Sequence, residues 1–146
     1  MKQPGALVVL IIFVAAVSFV VAKQDGKNRN TITTTLTGAN EVNSIGDADG
    51  GGIFRLTVKS EEQQLCYELT ASNIATATSV TINSDDRNTN GAVVLNLNPP
   101  ANGRSQGCVA SKPETIADIS ANPAHYYINV STNEYPNGAI RGQLGR

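Results

Sequence analysis

The segment IFRLTVKSEEQQLCYELT, residues 53–70, decides the fold class, because it alternates apolar and polar side chains on both sides of a short turn. Such a period of two is typical of strands with one buried face. Because the turn between residues 59 and 64 is short, we predict that the two strands pair as an antiparallel hairpin. The predicted buried face consists of Phe54, Leu56, Val58, Leu65, Tyr67 and Leu69.

The same alternation recurs on either side of this hairpin. Further strands are predicted at residues 31–37, 78–83, 92–97, 126–131 and 138–144. One helix is predicted between Ser111 and Pro123, because Ser111 and Glu114 have the spacing of a capping box and Pro113 suits a first helical turn. Seven strands and one short helix predict an all-β protein, an immunoglobulin-like antiparallel β-sandwich.

The N-terminal segment differs in composition from the rest of the 146 residues, since residues 6–21 contain no charged side chain. We interpret residues 1–22 as a secretory signal peptide, residues 23–30 as a flexible lead and residues 31–146 as one domain. An uncleaved membrane anchor is the alternative, because the uncharged run falls just short of a membrane span of ~20 residues. In both cases the domain is expected outside the cytoplasm, secreted or at the cell surface.

Charge and cysteine content argue against nucleic-acid binding and favour a disulfide over a reactive thiol. Loss of Lys2 with the signal peptide leaves ten basic and twelve acidic side chains, and the cations are scattered, which argues against nucleic-acid binding. In an oxidising compartment Cys66 and Cys108 favour one disulfide, worth roughly 3–4 kcal/mol if unstrained. A metal-binding or catalytic thiol is the alternative, although neither cysteine has another cysteine or a histidine at ligand spacing.

Four segments of the sequence resemble the CHRD (chordin) domain family in its secreted microbial form. They are LCYELT, NTNGAVVLNL, GCV and NPAHYYINVSTNEYPNGAIRGQL, and the resemblance covers roughly residues 31–145. It implies an immunoglobulin-like sandwich with a loose likeness to Cu/Zn superoxide dismutase, and a mostly undefined biochemical role. It also implies that Cys66 and Cys108 form a disulfide.

The chain departs from the resembled family where many members carry histidine. The family's His-Ile-His corresponds here to Thr81-Ile82-Asn83, and a further histidine corresponds to Ser131. Hydroxyl and amide groups are weak ligands for transition metals. We therefore expect neither a transition metal nor a cofactor in this chain.

The same positions predict a polar surface. Because Ile82 and Val130 are expected to face the core, their neighbours along each strand project from the opposite face. If the two strands are close, these side chains form one polar patch. The candidate patch consists of Thr81, Asn83, Asn129, Ser131 and Arg141.

Two further groups of residues are candidate ligands. Asp85 and Asp86 could supply oxygen ligands to Ca²⁺ together with Asn83, but adjacent side chains in an extended segment point opposite ways, which favours a solvated loop. His125 is the one imidazole in the sequence, and we interpret it as a surface residue rather than a ligand. A single histidine without identifiable partners also argues against a Ser-His-Asp arrangement.

These observations favour an exported, non-catalytic module that binds or assembles with an unknown extracellular protein or a glycan. It would contact a membrane only through its N-terminal segment. A superoxide-dismutase-like metalloprotein is the alternative, disfavoured because the family's histidine positions are Thr81, Asn83 and Ser131. A third hypothesis is that residues 31–37 add to the sheet of another copy, against the simpler reading that they pair within their own chain.

Overall fold

The computed structural model describes residues 30–145. The predicted signal peptide and residues 23–29 of the predicted lead lie outside this range. Within it, no helix is both long enough and apolar enough to cross a membrane.

Eight strands and one α-helix make up the domain, which confirms the predicted all-β class. The strands are β1 (Thr31–Thr37), β2 (Gly51–Lys59), β3 (Gln64–Ser72), β4 (Ala77–Ser84), β5 (Val93–Leu97), β6 (Arg104–Ala110), β7 (Tyr126–Thr132) and β8 (Ile140–Gln143). The helix is α1 (Pro113–Ala121), and short 3₁₀ turns lie at Gly38–Asn40 and Pro123–His125.

The strands form one antiparallel sheet in the order β5-β4-β7-β8-β1-β2-β3-β6. β1 pairs with β2 along its whole length and meets β8 where Thr37 lies opposite Arg141, so it connects the two halves of the sheet. The result is a nearly closed, barrel-like sheet with β5 and β6 at its edges. The seven-stranded immunoglobulin-like sandwich expected from the sequence is therefore corrected to eight strands in one sheet. The pairing of β1 lies within its own chain, as the simpler reading of residues 31–37 required.

β6 is the strand that the sequence pattern did not predict. It pairs with β3 from Gln64 opposite Ala110 to Thr70 opposite Arg104. Gly107 occupies an inward position opposite Tyr67, and a Cβ there would lie 3.3 Å from the tyrosine ring. Because the bulk of Tyr67 fills this space, β6 needs no large apolar side chain there and shows no clear alternation.

The hairpin predicted from residues 53–70 is confirmed, with Ile53 opposite Thr70 and Lys59 opposite Gln64. Every side chain of its predicted apolar face is buried. α1 adds Ile116 and Ile119 to the same core. Burial of each such aliphatic side chain contributes roughly 1.5–3 kcal/mol relative to exposure.

The helix itself is confirmed, but its predicted capping box is wrong. α1 begins at Pro113 with Lys112 at the N-cap position, where no side chain caps the helix. The Ser111 backbone N–H instead donates to the Gln63 carbonyl oxygen at 3.1 Å, which ties the start of the helix to the turn of the hairpin.

The disulfide is confirmed between Cys66 and Cys108, which lie directly opposite each other on β3 and β6 with Cα atoms 3.9 Å apart. Leu65 and Tyr67, the neighbours of Cys66 along β3, face the core. Since side chains alternate along a strand, the disulfide crosses the outer face of the sheet.

Candidate functional site

Three residues of the candidate patch lie side by side across the sheet. Thr81 on β4 is opposite Asn129 on β7, and Asn129 is opposite Arg141 on β8. We call these three residues the polar row. Ile82 and Val130, the neighbours of two of them, are fully buried, so the polar row lies on the outer face, as the alternation predicted.

The other two patch residues lie along the same face on either side of the polar row. Asn83 is opposite Tyr127, whereas Ser131 is opposite Ser79 near the other end of β4. The structure thus places all five predicted residues on three neighbouring strands. Of the two residues outside the polar row, only Asn83 has a side-chain hydrogen bond to it: the Thr81 hydroxyl donates to Asn83 Oδ1 at 2.6 Å.

Residues 85–91, which we call the covering loop, lie over Arg141. One terminal nitrogen of the guanidinium donates to Asn90 Oδ1 at 2.8 Å. The other donates to the carbonyl oxygens of Asp86 at 3.0 Å and Thr89 at 2.8 Å. The guanidinium carbon also lies 3.5 Å from the centre of the Tyr127 ring, within the range of a cation–π interaction.

Arg141 is 1% exposed, yet no carboxylate oxygen among residues 30–145 lies within 4.0 Å of it. Burial lowers the pKa of this guanidinium, and nearby Tyr127, Glu41 and Asp85 oppose the shift. A buried cation is tolerated when its N–H groups are hydrogen-bonded. The hydrogen bonds of Arg141 therefore hold the covering loop in place.

Tyr127 and Gln143 hold the two ends of the covering loop. Gln143 Nε2 donates to the Asp85 carbonyl oxygen at 2.8 Å, and the Gly91 backbone N–H donates to the Tyr127 hydroxyl at 3.1 Å. Neither residue was predicted from the sequence. Their signal was present in the alternation, because Tyr127 shares a face with Asn129, and Gln143 shares one with Arg141.

Glu41 adds a partly buried acid to this region. Burial raises the pKa of its carboxyl to about 7, and the positive charge of Arg141 opposes the shift. Its Oε1 atom is buried and has no hydrogen-bond partner in the described part of the chain. Gly138 leaves room for this carboxyl, since any Cβ at that position would overlap it.

The residues at the family's histidine positions do not fit a transition metal. The Thr81 hydroxyl and the Asn83 amide bond to each other, and Asn83 Nδ2 donates to the Gly91 carbonyl oxygen at 3.1 Å. Ser131 lies two residues along β7 from Asn129 of the polar row. Hydroxyl and amide oxygens are poor ligands for Zn²⁺ or Cu²⁺. No cluster of three histidine, cysteine or acidic side chains occurs between residues 30 and 145.

The predicted calcium candidates lie at the start of the covering loop. Asp85 Oδ1 accepts a hydrogen bond from the Asp86 backbone N–H at 2.7 Å. Asp86 Oδ1 lies 3.7 Å from His125 Nε2, and both of these side chains are exposed. An exposed pair of this kind contributes about 0–1 kcal/mol. Calcium binding by the two aspartates stays an untested alternative to the solvated loop that the sequence favours.

A second polar cluster joins α1 to β7. Asp118 accepts hydrogen bonds from the Tyr126 hydroxyl and from Asn122 Nδ2, and these bonds hold the pKa of its carboxyl below the ordinary value. Burial, followed by the effect of Asp118, raises the pKa of Tyr126 to about 12. Both shifts move the groups away from neutral pH, where proton transfer in catalysis is most effective.

Residues 32–144 match the family model described as the CHRD domain. No curated protein and no solved structure matches the chain.

Proposed function

This chain belongs to the CHRD domain family, and we propose that it is an exported, non-catalytic module that binds or assembles with partners outside the cytoplasm. The disulfide between Cys66 and Cys108 supports an extracytoplasmic site of action, because such bonds persist mainly in oxidising compartments. Secretion or display at the cell surface is the corresponding location.

The observation that carries this proposal is the use of the polar row within the fold. The Arg141 guanidinium holds the covering loop, and the Thr81 hydroxyl bonds to a neighbouring amide. A catalytic side chain needs a functional group directed at the substrate and a pKa suited to its role. The groups on this face instead bond within the fold and hold the covering loop, which supports a non-catalytic role.

An extracellular protein or a glycan is the class of partner that suits such a surface. The exposed outer faces of β2 and β3 carry both signs of charge, as Arg55 lies opposite Glu68. A mixed surface of this kind does not favour nucleic acid, which requires a basic patch. A membrane would be contacted only through the N-terminal segment.

The test uses protein that is expressed from the full sequence and exported. This protein is assayed for superoxide dismutation and for ester and glycoside hydrolysis, and its zinc and copper content is measured by elemental analysis. We expect no turnover above a blank and no stoichiometric metal, together with saturable binding to an array of extracellular proteins and glycans. Turnover that disappears in the Asp86→Ala or Asp118→Ala variant, or one bound metal ion per chain, would overturn the proposal.

A further inference from the structure

A cleft of about 280 Å³ lies between the end of the covering loop, residues 42–44 and β7. This volume is near the lower end of the roughly 300–1,000 Å³ that is typical of small-molecule sites. Ser44 and Tyr127 contribute hydroxyl groups to it. Five asparagines also line this cleft, which we call the asparagine cleft: Asn43, Asn83, Asn90, Asn129 and Asn137.

Three of these asparagines fix the walls of the cleft to one another. Asn90 Nδ2 donates to the Val42 carbonyl oxygen at 2.8 Å, so the covering loop is joined to the segment after β1. Asn129 Nδ2 donates to the Asn137 carbonyl oxygen at 3.2 Å, and Asn83 Nδ2 bonds to Gly91 as described above. Walls held in this way are preorganised, which lowers the entropic cost of binding.

Two polar atoms of the cleft make no hydrogen bond within the described fold. Asn129 Oδ1 and Ser44 Oγ are buried and have no hydrogen-bond partner among residues 30–145. The side chains of Asn43 and Asn137 are exposed at the rim. Asn43 has φ of 57°, a left-handed conformation that costs free energy for a residue with a side chain.

The chemistry of the lining favours a neutral ligand. No charged side chain of the described residues lines the cleft, and the Arg141 guanidinium, which bonds to Asn90 of the lining, is held by the covering loop. A charged ligand would lose its hydration without gaining a counter-charge. A calcium ion would also lack carboxylate ligands. Amides and hydroxyls both donate and accept, and so do the hydroxyl groups of a sugar.

We propose that the asparagine cleft binds one neutral, hydroxyl-rich ring, the saccharide unit of an extracellular glycan. This assignment rests on the non-catalytic binding role proposed above and names the class of its ligand. Sugar hydroxyls would bond to Asn129 Oδ1 and Ser44 Oγ at the floor and to the Asn43 and Asn137 amides at the rim.

The test is titration calorimetry on protein produced from the full sequence with the methyl glycosides of glucose, galactose, mannose and N-acetylglucosamine. Asn43→Gly removes a rim amide, and glycine adopts the left-handed conformation without strain. We expect a saturable interaction with at least one glycoside and a rise in Kd of about tenfold in this variant, as loss of one good hydrogen bond predicts.

Asn102→Gly is the matched control. Asn102 is also an exposed asparagine with a left-handed φ, of 51°, but it lines a different groove beside β6. Its replacement should leave the Kd unchanged. A second variant, Asn137→Ala, removes the other rim amide and should weaken binding of the same glycoside.

The remaining outcomes separate the two proposals. Binding of none of the neutral glycosides, equal binding by Asn43→Gly, or tighter binding of glucuronic acid or of calcium alone would overturn the assignment of a neutral saccharide. None of these results would show catalysis, so the broader binding role would be decided by its own assays. Release of methanol from a bound glycoside would instead overturn the non-catalytic role, because it would show hydrolysis at the cleft.

Discussion

Arg55 and Arg141 lie on the two strands that flank β1, and both are opposite a threonine of β1, yet their surroundings differ. Arg55 stands exposed on β2 opposite Glu68, in an open half of the sheet formed by β2, β3 and β6. Arg141 stands on β8 in a covered half formed by β4, β7 and β8, where the covering loop removes it from solvent. In both strands the alternation of side chains places the arginine on the outer face of the sheet.

The outer face of the sheet is stabilised in a different way in each half. In the open half the disulfide between Cys66 and Cys108 links β3 to β6 covalently. In the covered half one buried cation gathers neutral oxygen atoms from a loop that would otherwise be solvated. The disulfide acts mainly by restricting the conformations of the unfolded chain, whereas the hydrogen bonds of Arg141 stabilise the folded state alone.

Removing the disulfide should have the largest effect on stability. The bond joins residues 42 positions apart, and the chain-entropy relation gives about 4 kcal/mol for a loop of this length. The Cys66→Ala and Cys108→Ala double variant should lose this amount in urea unfolding, and reduced wild-type protein should match it. A loss below about 1 kcal/mol would show that pairing of β3 with β6 does not depend on the bond.

Replacing Arg141 with methionine should have the next largest effect. The substitution removes the donor for three oxygen atoms of the covering loop, and we expect a loss of about 3 kcal/mol in the free energy of unfolding. Arg55→Met is the matched control and should change stability by about 0.5 kcal/mol or less, because its side chain is exposed. Equal effects of the two variants would contradict the contrast between the halves.

The sequence predicted the fold where alternation was strong. The hairpin of residues 53–70 and the positions of Ile82 and Val130 were correct, because burial of one face fixes the phase of a strand. β6 was missed because Gly107 sits where Tyr67 already fills the interior. The joining of both halves through Thr37 and Arg141 is a long-range contact that no local pattern encodes.

The candidate site was predictable in position but not in environment. Alternation placed Thr81, Asn129 and Arg141 on one outer face, and the structure has them in one row. The alternation does not show that a loop rich in Asp and Asn covers this face, because the covering loop is held by side chains about 50 residues away. Polar residues on an outer strand face therefore do not by themselves indicate a solvated surface.

A smaller effect is expected at Gln143, which holds the first residue of the covering loop. Gln143→Met keeps the length of the side chain but removes the donor to the Asp85 and Ala124 carbonyl oxygens. We expect a loss of about 1–2 kcal/mol and faster trypsin cleavage after Arg87 in the covering loop. Gln106→Met on exposed β6 is the control and should change neither value. Unchanged cleavage after Arg87 would show that Gln143 does not secure the loop.

The smallest effect is expected for the response of Glu41 to pH. Its carboxyl has a pKa of about 7 in the folded protein against an ordinary 4.5, so the unfolded chain loses this proton first as the pH rises. The contribution to stability is therefore complete below about pH 4.5 and declines until about pH 7. Glu41→Gln does not titrate.

The difference in unfolding free energy between Glu41→Gln and wild type should therefore shift in favour of the variant between pH 4.5 and 7 and stay constant above that range. Because the carboxyl is partly exposed, solvent screening limits the shift to about 1 kcal/mol. Glu68→Gln, on the exposed face of β3, provides the control for the open half. If both variants gave the same pH profile, burial next to Arg141 would not distinguish Glu41 from a surface acid.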